Sequence, residues 1–333
     1  MVIALAVGYH GPPQLTLPRA IASWTFDPWA FGIVAVLGAG YLAAVRRVRR
    51  SGQPWPVARL VAFLGIGLGA LVIATMWWTG AYSGVLFYAR AAQTILLLLL
   101  TPLFLALGRP LTLAIAALPA HKGQRLQAIL CGRTAKILTF PALSTLVLVA
   151  VPFLVYFTPW YTAYFRGGPV RGLTYLALMV CGYVFFWTLI RVDPVPKAYP
   201  YLVSLWITGA EVIGDAVLGI AVISDSHLIG GAWYQALGRP WGPSLRFDQA
   251  LGGGTLWVLG DLIGLPFLVA QLIHMIREDE SEAEVIDAEL DAREAAQPAD
   301  GEAASADRPW WESDPRFTHR FSPAEGSPER PAQ

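Results

Sequence analysis

Arg90, Glu211, Asp215 and Asp261 are the residues best placed to do chemistry in this chain, because each stands inside a stretch too apolar to be a water-facing element. A charged side chain at the middle of a bilayer costs about 2.5 to 3.5 kcal/mol even on the mildest insertion scale, so such groups face a bundle interior and take partners. Glu211 and Asp215, in EVIGDAV, are four residues apart and share one helical face. Asp261 lies in LWVLGDLIGL and Arg90 in FYARAAQTILLLLL. Counted from the outer ends of their spans, Arg90, Asp215 and Asp261 fall within a helical turn of one another in depth. The expectation is a polar cluster in which Arg90 pairs with Asp215 and Asp261, with Glu211 one turn deeper. Its chemistry is either helix pairing or the binding and relay of a cation or protons.

Soft-metal chemistry would need imidazole, thiolate or thioether groups gathered at one depth. His10, His121, His227, His274 and His319 are scattered over loops and span ends. Met179 and Cys181 are the candidate metal ligands, yet they are two residues apart in one span and so point in different directions. Cys131 stands far from Cys181, which leaves neither a disulfide framework nor a CxxC motif. There is no HExxH, no nucleophile with a base and no phosphate-binding glycine loop, so catalysis is not expected and no bound cofactor is predicted.

The elements that must hold these residues are membrane helices. Of 333 residues 55% are hydrophobic and only 14% charged, too apolar and too rich in Trp for a soluble domain. Seven stretches reach the roughly 20 apolar residues that cross a hydrocarbon core as a helix: 28 to 45, 59 to 78, 84 to 107, 139 to 158, 170 to 190, 201 to 223 and 253 to 276. The runs are continuous rather than alternating, which excludes a barrel. The expected fold class is all-α, a polytopic membrane protein of seven transmembrane helices. Arg46, Arg47, Arg49, Arg50 and Arg59 follow the first span, and Arg109, Lys122, Arg125, Arg133 and Lys136 follow the third. The positive-inside rule then puts the N-terminus outside and the C-terminus in the cytoplasm. Residues 1–27 read as an extracytoplasmic segment, 28–277 as the membrane domain, 278–297 as an acidic cytoplasmic helix and 298–333 as a disordered tail.

Residues 1 to 276 carry 18 Lys and Arg against 7 Asp and Glu, whereas the remainder carries 6 against 16. The basic residues lie in short loops beside spans, where topology and anionic headgroups account for them, so the expected partner is membrane lipid and not nucleic acid. In the loop 224–252, Trp233, Tyr234 and Trp241 suit a position at the membrane surface. In the tail, Trp310, Trp311, Phe317 and Phe321 form an aromatic segment with the composition of a docking motif.

Several stretches resemble the CtaG-type cytochrome c oxidase assembly proteins: WTFDPWAFG, YLAAVRRVRRSGQPWPVARLVAFLGIGL, TPLFLALGRPLTL, FTPWY, GYVFFWTLIRVDP and, most specifically, DQALGGGTLWVLGDL. In the last, Asp248, Gln249, Gly252, Gly253 and Trp257 match the family's DQ, GG and W pattern. The resemblance, over about residues 24 to 280, implies a seven-span protein of the bacterial plasma membrane. It further implies work on haem-copper oxidases, copper handling, and oxidase subunits or other assembly factors as partners. Relatives of that type place histidines in the third span, at the starts of the fourth and fifth, and in the sixth. Here those windows read YARAAQ, TFPALS, VRGLTY and AEVIGDAV, without a histidine. The expectation is a member that keeps the fold without the copper-handling histidines, its ligand set replaced by the ion-pair cluster. The alternative is an ion- or proton-coupled transporter using Glu211, Asp215 and Asp261.

Overall fold

A computed structural model describes residues 9–191, 193–196 and 201–296. The tail 298–333 and its aromatic segment lie outside the described residues, as do the first eight residues of the N-terminal segment. Among the described residues every regular element is helical. The chain divides into two units, Met1–Met275 and Ile276–Gln333.

Six helices in the described residues are long and apolar enough to cross a membrane: α1 (Pro28–Arg50), α2 (Val57–Tyr82), α3 (Phe87–Leu107), α5 (Pro169–Ile190), α6 (Tyr201–Ser224) and the Leu245–Arg277 part of α7 (Leu245–Ala296). The remaining apolar helix, α4 (Pro141–Phe157), is shorter, at 17 residues. The molecule is an all-α, polytopic membrane protein. Its helix boundaries follow from sequence chemistry. Proline opens α1, α4 and α5 at a position where the missing N–H is no loss, and α5 ends on Arg191 in the left-handed conformation at φ 54°.

α3 is the central helix, with α2 against one side and α5 against the other. Its middle, Leu96–Leu100, is wound as a π-helix ahead of Pro102, which has no N–H to give the helix ladder. Gly182 of α5 rests on the Leu98 carbonyl, and any side chain there would collide with it. Ile95, Leu97, Leu98 and Leu99 of α3 join Leu148 and Val155 of α4, Leu178 and Phe185 of α5, Leu218 and Val222 of α6 and Leu256 of α7 in one core. Trp206, Ile213, Val258 and Leu262 are exposed on the outside of α6 and α7. Lipid makes that outward apolar face stable, because the hydrocarbon solvates it as well as a core would.

Two of the recognised stretches act as clamps at the Leu107 end of α3. Tyr41 donates to the Gly108 carbonyl (2.8 Å), accepts from Trp55 Nε1 (3.1 Å) and stacks on Phe63 at 4.0 Å. Asp193 accepts from the Thr112 N–H (2.8 Å) and hydroxyl (2.6 Å), fixing the start of the short helix Pro110–Ala117 to the end of α5. The choice of Tyr41, Trp55 and Asp193 in these stretches is thus explained by backbone carbonyls and N–H groups that need partners at helix ends.

The loop assigned to 224–252 is shorter than the sequence suggests. It contains a helix, Gly231–Leu237, and α7 begins at Leu245, ahead of the apolar run. Tyr234 is buried rather than lying on a membrane surface, and Trp233 stacks face to face on Phe165 at 5.0 Å.

Candidate functional site

Arg90 sits in the first turns of α3 with no exposed surface. Its guanidinium carbon lies over the Tyr164 ring, 3.7 Å from the ring centre, and Nη1 donates to Gln93 Oε1 at 2.6 Å. Nε and Nη2 have no hydrogen-bond acceptor. Beside it the rings of Phe87, Tyr156 and Tyr161 pack tilted against one another, with ring centres 5.3 to 5.6 Å apart. The charge is held by ring quadrupoles, worth about 2 kcal/mol or more when desolvated. This corrects the expected ion pair: Arg90 makes no salt bridge with Asp215 or Asp261 among the described residues. The physical reason is that the short helix Trp160–Phe165, between α4 and α5, tucks Tyr161 and Tyr164 into the bundle and occupies the space a carboxylate would need.

The cage continues toward α1. Tyr164 donates to Gln93 Oε1 (2.9 Å), Tyr164 and Tyr175 hydroxyls are 3.2 Å apart, and Tyr175 donates to Asp27 Oδ2 (3.0 Å). Asp27 caps α1, its Oδ1 accepting from the Trp29 and Ala30 N–H groups, and Arg171 stands 3.6 Å from Oδ2. A cavity of about 210 Å³ opens beside this row, lined among others by Asp27, Thr75, Ser83, Tyr164, Arg171 and Tyr175. On the other flank Tyr161 and Tyr234 share a hydrogen bond of 2.8 Å. Burial pushes both phenols up from their ordinary range, so they stay protonated and available as donors.

The DQ and GG residues form a second construction at the start of α7. Asp248 accepts from the Tyr88 N–H (3.2 Å) and pairs with Arg239 at 3.3 Å, the two side chains only 1% and 3% exposed. Arg239 also donates to the Pro243 carbonyl (2.8 Å) and lies 5.1 Å from the Trp241 ring. Gln249 accepts from the Ile229 N–H (2.8 Å) and donates to the Val222 and His227 carbonyls (both 3.1 Å). Together they tie the α6–α7 connection to α3 and α6. Gly252 abuts the Phe87 ring and Gly253 lies against Gly219, where a Cβ would come within 2.6 Å of the facing carbonyl. Trp257 presents its Cβ to Gly219. None of these roles was readable from spacing, since each partner stands on another helix or in the connection between α6 and α7, far away in sequence or on a path the sequence does not show.

The third feature is acidic. Glu211 and Asp215 are buried on the face of α6 that meets α7, and Asp261 joins them from α7, close enough for the three charges to interact. Asp215 Oδ2 and Asp261 Oδ1 have no hydrogen-bond donor. Met179 is buried in the core of α5, and Cys181 is a half-buried free thiol. Among the described residues no three His, Cys, Asp or Glu side chains converge as a metal site.

Residues 39–278 match the family described as cytochrome c oxidase caa3 assembly factor. The chain is 33% identical over 280 residues to uncharacterised proteins of Mycobacterium bovis and Mycobacterium tuberculosis, and 32% identical to one of Mycobacterium leprae. Each alignment covers 82% of this chain, and the chain spans 42% of the length of these relatives. No solved structure matches. The family match takes in α2 to α6 entire, most of α1 and the membrane part of α7, with both the DQ clamp and the Arg90 cage: the chain belongs to the caa3-type cytochrome c oxidase assembly factor family, Caa3_CtaG.

Proposed function

We propose that this protein serves in a bacterial plasma membrane as an assembly factor for a haem-copper cytochrome c oxidase, working as a lipid-embedded scaffold for oxidase subunits or other assembly factors. Family membership carries the reading. The architecture supports it: the α6–α7 connection is tied down by the buried Arg239–Asp248 pair and by Gln249, giving a rigid surface at one end of the bundle. Rigid loops lower the ordering cost of docking a partner.

Copper, which the resemblance implies, does not fit the residues present. A Cu site asks for imidazole, thiolate or thioether donors converging on one point. At the position of the missing third-span histidines stands a guanidinium among tyrosines, and the sixth-span window offers carboxyl groups. Met179 and Cys181, two apart on α5, project to different faces. The scaffold reading therefore includes no step through a bound metal.

The test joins two measurements. Haem-copper oxidase activity and its haem spectrum are compared in membranes with and without the gene, and copper and haem are quantified in the purified full chain. Lower oxidase on deletion, with copper well below one equivalent, is the expected result. Unchanged oxidase would overturn the assembly role, and stoichiometric copper would overturn the scaffold reading.

A further inference from the structure

We infer that Glu211, Asp215 and Asp261 form a proton-holding site between α6 and α7, in which three carboxyl groups share protons where no cation is supplied. The inference rests on the packing of these two helices and not on the assembly role.

The helices are brought together by glycine. Gly219 of α6 faces Gly253 of α7, each so near the other's carbonyl that a Cβ would stand 2.6 Å from it. Further along, Gly260 has no room for a Cβ beside Asp215 Oδ2, and a Cβ at Gly264 would lie 3.1 Å from Glu211 Oε2. Residues 211, 215 and 219 therefore run against 264, 260 and 253, two matched faces at helical spacing. The glycines of α7 leave the hollows that the carboxyl groups of α6 fill.

A hollow of this kind could simply pack, but the polar atoms in it are left over. Glu211 is 2% and Asp215 5% exposed, Asp215 Oδ2 and Asp261 Oδ1 have no donor, and no ion pair among the described residues involves the three. Among the described residues the groups that face them supply no cation. Arg90 is committed to Gln93 and Tyr164. α4, which packs on α6, meets Gly214 with Val149, and the one titratable group of α4, Tyr156, is bonded to Thr94. Three ionised carboxylates without a counter-charge in a medium of low dielectric would cost far more than a fold can absorb, so the group must take up positive charge. A hard metal ion would need about six oxygen ligands around one point, and no such convergence occurs here among the described residues. Protons need only the carboxyl groups themselves: a protonated carboxyl donates to the neighbouring carboxylate oxygen that otherwise lacks a donor.

The same seam offers a route. Ser204, Thr208, Glu211 and Asp215 recur at four, three and four residues along α6. Arg191 donates to Ser204 (2.9 Å), Thr208 donates to Gln271 Oε1 of α7 (3.0 Å), and buried Gln271 Nε2 has no acceptor. Polar groups thus run from the end of α5 to the acids along one helix interface.

The experiment is carbodiimide labelling. Dicyclohexylcarbodiimide is apolar and adds only to protonated carboxyl groups, so it separates acids that hold a proton inside the bundle from ionised acids in water. The full chain, folded in mild detergent or in vesicles, is treated between about pH 5 and 9, and modified residues are located by peptide mass spectrometry. The expected result is adduct on Glu211 or Asp215 at neutral pH, absent from exposed acids such as Glu284 and Asp287, and declining as pH rises. Glu211→Gln and Asp215→Asn each diminish the adduct while the protein keeps its elution volume. No adduct at any pH on the folded wild-type chain would overturn the proposal. Protection by Na⁺ or Ca²⁺ at constant pH would overturn it also, and would make the site one for a metal cation.

Discussion

Replacement of Asp248 by Ala is the perturbation whose size the structure defines best. Arg239 and Asp248 pair at 3.3 Å with almost no exposure on either side. Removing one member of a buried pair strands the other charge, at roughly 3 to 5 kcal/mol. Two features of the site pull this down: Arg239 keeps the Pro243 carbonyl at 2.8 Å and the Trp241 ring at 5.1 Å. One pulls it up, because the Tyr88 N–H at the start of α3 loses its acceptor, about 1 kcal/mol or more. The expected loss is therefore about 3 kcal/mol, which at roughly 2 °C per kcal/mol for a large chain is a fall of about 6 °C in the unfolding midpoint. Scanning fluorimetry on detergent-solubilised protein reads it through the tryptophans, and an Arg239→Leu, Asp248→Leu double variant supplies the control. With both charges gone and the volume filled, that variant is expected to unfold within about 2 kcal/mol of wild type. An Asp248→Ala midpoint unchanged from wild type would refute the argument, since exposed pairs alone are worth so little.

Gly252→Ala meets the Phe87 ring and is expected to destabilise by about 1 to 3 kcal/mol, whereas Gly254→Ala, with open space around it, is expected to stabilise slightly; thermal midpoints of the two decide. Arg90→Lys keeps the charge but loses the guanidinium contact with Tyr164 and is expected to lower the midpoint; Tyr164→Leu, which also removes the hydroxyl bonded to Gln93 and Tyr175, is expected to lower it further, with the double variant falling by less than the sum of the two. The raised phenols of Tyr161 and Tyr234 bind protons in the folded protein that the unfolded chain has released, so stability falls as pH climbs above about 10; Tyr161→Phe with Tyr234→Phe is expected to flatten that decline in pH-stepped unfolding.

The acids and the guanidinium differ in how far the sequence alone can locate their neighbours, for one physical reason. Glu211 and Asp215 sit on a regular helix, where a spacing of four residues fixes a shared face, and Asp261 could be matched to them by depth alone. Arg90 lies on a regular helix too, yet its neighbours come from the Trp160–Phe165 segment, in a stretch that reads as a loop after α4. Depth says how far along the membrane normal two residues are, and nothing about which helices touch. The apolar runs were legible because lipid imposes length and composition on them; the extra turns of α7 ahead of Gly252 were not, since they are polar and lie outside that constraint.

The row Asp27, Tyr175, Tyr164, Gln93 has a consequence in proton counting. A carboxylate oxygen and an amide oxygen only accept, and each phenol brings a single hydrogen. Three close oxygen contacts therefore share two hydrogens, so one contact is always bare. That bare contact can rest at Asp27, between the rings or at Gln93, and it moves one place for each hydroxyl that turns. If Asp27 ceases to accept, the Tyr175 hydroxyl turns to Tyr164, whose own hydrogen then has Gln93 as its remaining acceptor, so the cap of α1 governs by one O–H rotation whether Tyr164 can leave Gln93, the residue that holds Arg90.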